Sequence, residues 1–239
     1  MNNSNISRRS LLRGAPIAAA AALLPSLLGS DTAFAAALEN PRPDGARITP
    51  EQALAYLKSG NSRVAKGHAY HKNYSPAGKV WTDGQWPFAA ILGCSDSRVQ
   101  SDEVFGVTPT NLFVVRNAGN VIDDDVLGSL EYAVEHLSTS LIVVMGHSGC
   151  GAVKATEALI KSGGSAGGHI DALVNKIKPT ILALPANHTL SDSVKANAMA
   201  SAAQAISQSS IIEEAIKAGE IKVISAEFDL ATKLVTFNA

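Results

Sequence analysis

The chain has 239 residues, of which 46% are hydrophobic and 17% charged, and its formal net charge is −1. That balance excludes a surface built for nucleic acid or anionic lipid, both of which need a concentrated basic face. About two hundred residues remain once an N-terminal leader is set aside, which suits one domain with a single core, and no internal repeat argues for more.

The leader comes first. Ser7-Arg8-Arg9-Ser10-Leu11-Leu12-Arg13 has the twin-arginine form, a moderately apolar stretch from Gly14 to Ser30 follows, and Ala33-Phe34-Ala35 is a small-x-small cleavage signal. Residues 1–35 are therefore expected to be a twin-arginine signal peptide cleaved after Ala35, with the protein exported and periplasmic or secreted. Pro16 and Pro25 interrupt the apolar stretch, which suits a membrane span of ~20 residues poorly, so no stable membrane anchoring is expected. Residues 36–48, with Pro41 and Pro43, look like a surface leader to a domain covering 49–239.

That domain opens on a helix. Thr49-Pro50-Glu51 supplies a cap and a first-turn proline, Ala53, Leu54, Tyr56 and Leu57 form an apolar stripe, and Gly60 is the expected end. A polar segment runs to Gly84. Three short apolar runs follow, Phe88 to Gly93, Leu112 to Val115 and Leu141 to Gly146, each with the composition of a strand buried on both faces. Between the second and third, residues 124–138 place Val126, Leu127, Leu130, Tyr132, Ala133, Val134 and Leu137 at helical spacing, so strand, helix and strand form a right-handed parallel crossover. Helical patterns cover 151–161, 170–184 and 191–218, and two β-rich runs, Lys222 to Glu227 and Thr232 to Phe237, close the chain as an antiparallel pair. The expected fold is a three-layer α/β domain around a mostly parallel sheet of four strands with an antiparallel edge strand and an N-terminal helical arm.

This topology collects the chemistry. Cys94 follows the first strand, Arg116 and Asn117 the second, and His147 the third, so all belong on the rim beyond the strands' carboxyl ends, where open parallel sheets bind ligands. The chain has two cysteines, and each lies in a motif dense in metal-binding chemistry: Cys94-Ser95-Asp96-Ser97-Arg98 and His147-Ser148-Gly149-Cys150-Gly151. Two thiolates and one imidazole are a ligand set that suits one Zn²⁺ per chain, with Asp96 as fourth ligand or standing aside for water. Arg98 can hold the Asp96 carboxylate in a bidentate pair and so keep it off the metal. A Cys94–Cys150 disulfide is the other use of two thiols in an exported protein, although folding around zinc before export would protect them.

Other residues have plainer roles. His68, His71, His136, His169 and His188 are scattered over polar stretches, Asp123-Asp124-Asp125 suits an N-cap and first turn, and the glycines at 163, 164, 167 and 168 read as loop.

CSDSR and HSGCG, separated by NLFVVRNAGN and LEYAVEHL, make the chain resemble the β-class carbonic anhydrases, which interconvert carbon dioxide and bicarbonate. The resemblance implies zinc on Cys94, His147 and Cys150, attacked carbon dioxide as the substrate, and Asp96 either as fourth ligand in a closed state or paired to Arg98 in an open, active one. It implies that Gln85 hydrogen-bonds a substrate oxygen from across a dimer interface, and that Phe113 and Tyr132 wall the carbon dioxide site. Ile91 stands where the allosteric branch has tryptophan, which favours the open form, and Ala118 replaces a wall valine. It further implies a homodimer or dimer of dimers, the N-terminal helix lying across the neighbour. The same zinc would also serve hydrolysis of carbon disulfide or carbonyl sulfide, since selectivity lies in tunnel shape, and a non-catalytic zinc-binding or redox protein would carry the same thiols.

Overall fold

A computed structural model describes residues 46–68, 84–108 and 110–238. The expected signal peptide, its cleavage site, most of the surface leader, and His71 lie outside the described residues.

The elements in chain order are α1 (Pro50–Ala65), β1 (Ala89–Cys94), α2 (Ser101–Val104), β2 (Leu112–Asn117), α3 (Asp124–Glu135), β3 (Leu141–His147), α4 (Gly151–Ser162), α5 (Ile170–Leu182), α6 (Leu190–Ser207), α7 (Ser210–Lys217), β4 (Lys222–Phe228) and β5 (Val235–Asn238). The five strands form one sheet in the order β2-β1-β3-β4-β5. The first four are mutually parallel and β5 pairs antiparallel to β4 at the edge, so the expected class and edge strand are both present. β1 and β3 are buried at every residue, and alternation sends their side chains to opposite faces. Ala90, Leu92, Ile142 and Val144 pack under α3, α6 and α7. Ala89, Ile91, Leu141, Val143 and Met145 pack with Ala53 and Leu57 of α1. Those two faces, each covered by helices, are the three layers. Among the described residues no helix is long and apolar enough to cross a membrane.

Thr49 caps α1 as expected, its hydroxyl accepting from the Gln52 N–H while Gln52 Oε1 accepts from the Thr49 N–H. The helix does not end at Gly60 but runs on to Ala65. Gly60 is there for close approach: a Cβ on it would stand 1.9 Å from the Phe105 carbonyl oxygen. Because backbone must move to admit that methyl, Gly60→Ala is expected to cost about 3 kcal/mol, read as a Tm lower by roughly 6–12 °C for a domain of this size. An unchanged Tm would refute the contact. The apolar stripe of α1 packs on its own sheet, with Ala53 and Leu57 fully buried, which leaves the opposite, exposed face of the helix for any contact with a neighbour.

Other boundaries moved for local reasons. The single helical pattern over 191–218 is two helices, broken where Ser209 caps α7 by accepting from the Ile212 N–H and donating to Glu131. β5 starts at Val235 rather than Thr232, because Asp229 Oδ1 gathers the N–H groups of Ala231 and Thr232 into a turn. The one-turn helix α2 is too short to leave a periodic signal. β2, at the other edge of the sheet, is apolar yet only half buried, and Val114 is 42% exposed.

Candidate metal centre

Cys94 is the last residue of β1 and His147 the last of β3, adjacent strands in parallel register. Cys150 is the N-cap of α4, three residues beyond His147. Their ligand atoms all lie within 4.8 Å of one another, and all three residues are buried. The two Sγ atoms are 3.9 Å apart and both thiols are free, so the disulfide reading is not what the structure contains. Two sulfurs on a tetrahedral zinc, at ~2.3 Å each, stand about 3.8 Å apart.

The imidazole gives an independent test of that fit. His147 Nδ1 faces the Ser148 carbonyl oxygen at 3.1 Å, which places the ring proton on Nδ1 and leaves a lone pair on Nε2. Nε2 is buried without a hydrogen-bond partner, which is costly for a polar atom unless a metal completes it. The thiols show the same incompleteness. Cys94 is lowered to about 4, chiefly by the hydrogen bond from Cys150, while Cys150 is pushed far up by that same partner and by burial, although the Ala152 and Val153 N–H groups at the start of α4 oppose this. The two sulfurs thus share one proton, which a divalent cation would displace. Burial works against charge on His147, but Cys94 and Asp96 beside it outweigh that and raise it.

Asp96 stands next to this cluster and outside it. Arg98 donates through Nε to Oδ1 at 2.9 Å and through a terminal nitrogen to Oδ2 at 2.7 Å, and the Arg98 backbone N–H adds a third bond at 3.0 Å. The Arg98 side chain holds the Asp96 carboxyl well below the usual carboxylate range. Asp96 Oδ2 is 3.9 Å from His147 Nε2, close enough to meet whatever that nitrogen binds. The loop carrying Cys94 and Asp96 is pinned by Arg116, which donates to the Cys94 and Asp96 carbonyls and to Gln100. Arg116 and Asn117 proved to be inside β2 rather than beyond it.

The substrate residues named from the resemblance fall elsewhere. Phe113 and Tyr132 do meet, with ring centroids 6.2 Å apart, but Phe113 is in register with Ala90 and not with Cys94, about 13 Å away along the strand. Gln85 is exposed on the segment entering β1, about 17 Å or more from the carboxyl end of that strand. The metal ligands and these three residues therefore occupy opposite ends of one chain. Within one chain, the register therefore sets Phe113 apart from the metal ligands.

One residue to which the sequence assigned no role touches the centre, and a second holds it from behind. The Gly119 N–H points at Cys94 Sγ at 3.4 Å, and Asn197 Nδ2 donates to the Gly119 carbonyl at 2.8 Å. Asn197, a carboxamide among the alanines of a helix that packs on the sheet, was the available signal.

A mostly parallel sheet that offers two thiolates and an imidazole at one carboxyl rim defines an α/β protein with a zinc-type centre. The family model described as carbonic anhydrase matches residues 89–235. Carbonic anhydrase 2 of Mycobacterium tuberculosis is 38% identical over 185 residues, covering 76% of this chain and 89% of that protein. A carbonic anhydrase of Mycolicibacterium smegmatis is 42% identical over 134 residues, 56% of this chain and 65% of that one. The crystal structure of a β-carbonic anhydrase from Aspergillus fumigatus superposes with a TM-score of 0.58 at 25% identity, over 79% of this chain and 89% of that chain. This chain belongs to the carbonic anhydrase family and has the fold of its β class.

Proposed function

We propose that this protein catalyses the reversible hydration of carbon dioxide to bicarbonate and a proton. The observation that carries this is the buried Cys94–His147–Cys150 cluster with an unpartnered Nε2, set in a chain of the carbonic anhydrase family. Cys94, His147 and Cys150 hold one Zn²⁺, which when bound supplies the Lewis acidity that lowers the pKa of water to ~7. Asp96 stays ionised beside the metal because Arg98 occupies both its oxygens. It accepts the hydrogen bond of the attacking water and points the oxygen lone pair at carbon. Arg98 keeps that carboxylate from becoming a ligand.

Gln85, Phe113 and Tyr132 act on the substrate from a second copy of this chain, because their own metal lies at the far end of the sheet. The half-exposed apolar edge formed by β2 and Tyr132, which is 48% exposed, supports such a neighbour: an uncovered apolar strand edge invites pairing. The assembly is a homodimer or a dimer of dimers. Phe113 and Tyr132 exclude water from the carbon dioxide site, and the Gln85 amide donates to a substrate oxygen.

Stopped-flow hydration at pH 8 tests the activity. Turnover that appears on zinc loading and is lost to a chelator supports it; zinc-loaded protein no faster than the metal-free protein refutes it. Export is supported by Arg8 and Arg9 ahead of Ala33-Phe34-Ala35. Mature protein beginning at Ala36 outside the cytoplasm is the expected result of fractionation and N-terminal sequencing.

A further inference from the structure

We propose that Asn197 is a positioning residue for the metal centre: by holding the Gly119 carbonyl it aims the Gly119 N–H at Cys94 Sγ, and so fixes the orientation and donor strength of that ligand. This rests on Cys94 being a zinc ligand. Cys94 ends its strand; the Ser95 N–H on the Asn117 carbonyl at 3.0 Å and Arg116 on the Cys94 carbonyl hold the main chain there, and the orientation of the sulfur itself is left to what faces it. What faces the sulfur is the turn from Asn117 to Val121. Its base is closed by Asn117, whose side chain accepts from the Val121 N–H at 2.9 Å and donates to the Val121 carbonyl at 2.8 Å. Its apex is Gly119, at φ +82°, the residue type with the most conformational freedom.

Glycine is required at that apex and cannot hold itself there. A Cβ on Gly119 would stand 2.8 Å from Ile177 Cδ1 and 3.1 Å from Ala152 Cβ, so no side chain is available to lock the peptide. The restraint comes through its carbonyl, which accepts from Asn197 Nδ2 at 2.8 Å in a buried bond. The Gly119 carbonyl lies in the peptide after the apex and its N–H in the peptide before it, so the Asn197 bond anchors one side of the apex while the Asn117–Val121 bonds close the turn, and together they seat the N–H on Cys94 Sγ at 3.4 Å.

The cost of burying this carboxamide shows that it has a task. Asn197 is 2% exposed on the face of α6 that also carries Val194, Ala198 and Ser201, and an unpaired amide there would be strongly unfavourable. An apolar residue would pack the face without that penalty. The helix lies close to the ligands: Val194 shares a buried cluster with Cys94 and Cys150, and a Cβ on Gly146, next to His147, would come within 2.9 Å of Val194 Cγ1. An N–H donated to a thiolate withdraws electron density from sulfur and restricts its swing, the usual action of groups behind a metal ligand.

Three proteins decide the matter: wild type, Asn197→Ala, and Leu130→Ala, which opens a cavity in the core cluster on the α3 side of the sheet and serves as a stability control. Zinc Kd is measured by chelator competition, and the Co²⁺-substituted proteins give the sulfur-to-cobalt charge-transfer band. Asn197→Ala is expected to weaken zinc binding by about tenfold, the lower end for such supporting partners. Its charge-transfer band moves to longer wavelength, because a thiolate stripped of its N–H donor is easier to ionise. Leu130→Ala keeps the wild-type Kd and band. If Asn197→Ala does not fold, Asn197→Ser is used, since a serine hydroxyl can bond the carbonyl one turn back in its own helix but is too short to reach Gly119.

An Asn197 variant with wild-type Kd and band position overturns the proposal. So does an equal change in Leu130→Ala, which would make the effect merely structural. Wild-type protein that binds no zinc would instead overturn the metal centre itself.

Discussion

Cys94→Ser and His147→Ala are each expected to release zinc and abolish carbon dioxide hydration. A hydroxyl in place of the Cys94 thiolate is neutral at pH 7 and a poor zinc donor, and the remaining Cys150 and His147 form an incomplete site. Structural zinc sites hold the ion by about 10–16 kcal/mol in total, so losing one of four ligands removes about 3–4 kcal/mol. That weakens Kd by roughly two to three powers of ten. His147→Ala adds a cavity at a fully buried position and leaves the Ser148 carbonyl without the ring N–H, so it should also lower Tm. Elemental analysis after dialysis against a weak chelator reads the stoichiometry, and stopped-flow assays read turnover. Full zinc and full activity in either variant would sink the three-ligand assignment.

The metal centre was legible because it depends on two things the sequence displays, the identity of rare residues and the ends of apolar runs. The only two cysteines sit next to strands that are buried at every residue, and such strands announce themselves by composition. Parallel topology then brings their carboxyl ends together whatever the loops do. The Asp96–Arg98 pair was legible for a local reason, since two residues of separation on a loop allow a bidentate contact with no help from the rest of the fold.

What the sequence concealed depends on register and on close approach between distant segments. Nothing in the run from Leu112 to Val115 tells that Ala90 pairs with Phe113 and Cys94 with Asn117, a register that sets Phe113 a strand's length from the metal ligands of its own chain. Register is a property of two strands together, and neither run carries it alone. Gly60 read as a helix stop because glycine often is one; its use against the Phe105 carbonyl belongs to a contact 45 positions on in the chain. Ser209 was hidden inside a helical pattern for a similar reason, as its cap on α7 is fixed by Glu131 from another helix. Asn197 acts across 78 residues on a backbone atom, and backbone atoms leave no mark on composition.

Asp96→Asn is expected to separate metal binding from turnover. The side chain keeps its shape, and its oxygen can still accept from the Arg98 backbone N–H that now reaches Oδ1 at 3.0 Å, so the loop should hold. Cys94, His147 and Cys150 are untouched, and the hydrogen bonds of the Asp96 carboxylate go to Arg98 rather than to any of their ligand atoms, so zinc affinity should stay close to that of wild type. Turnover should fall by about 10²–10⁴-fold, the usual range when a group that takes or orients a proton is lost, because an amide NH₂ presents donors where the carboxylate presented lone pairs. Arg98→Ala tests the other half of the pair. Released from both guanidinium bonds, Asp96 needs only a short swing from a position 3.9 Å from His147 Nε2 to become a fourth ligand. That adds a bond to the metal and takes the place where water must react. In Arg98→Ala zinc affinity should therefore rise while turnover falls, whereas in Asp96→Asn turnover alone moves. If both variants lowered zinc affinity together, Asp96 would be a structural support of the loop, and the restraint assigned to Arg98 would have no function to serve.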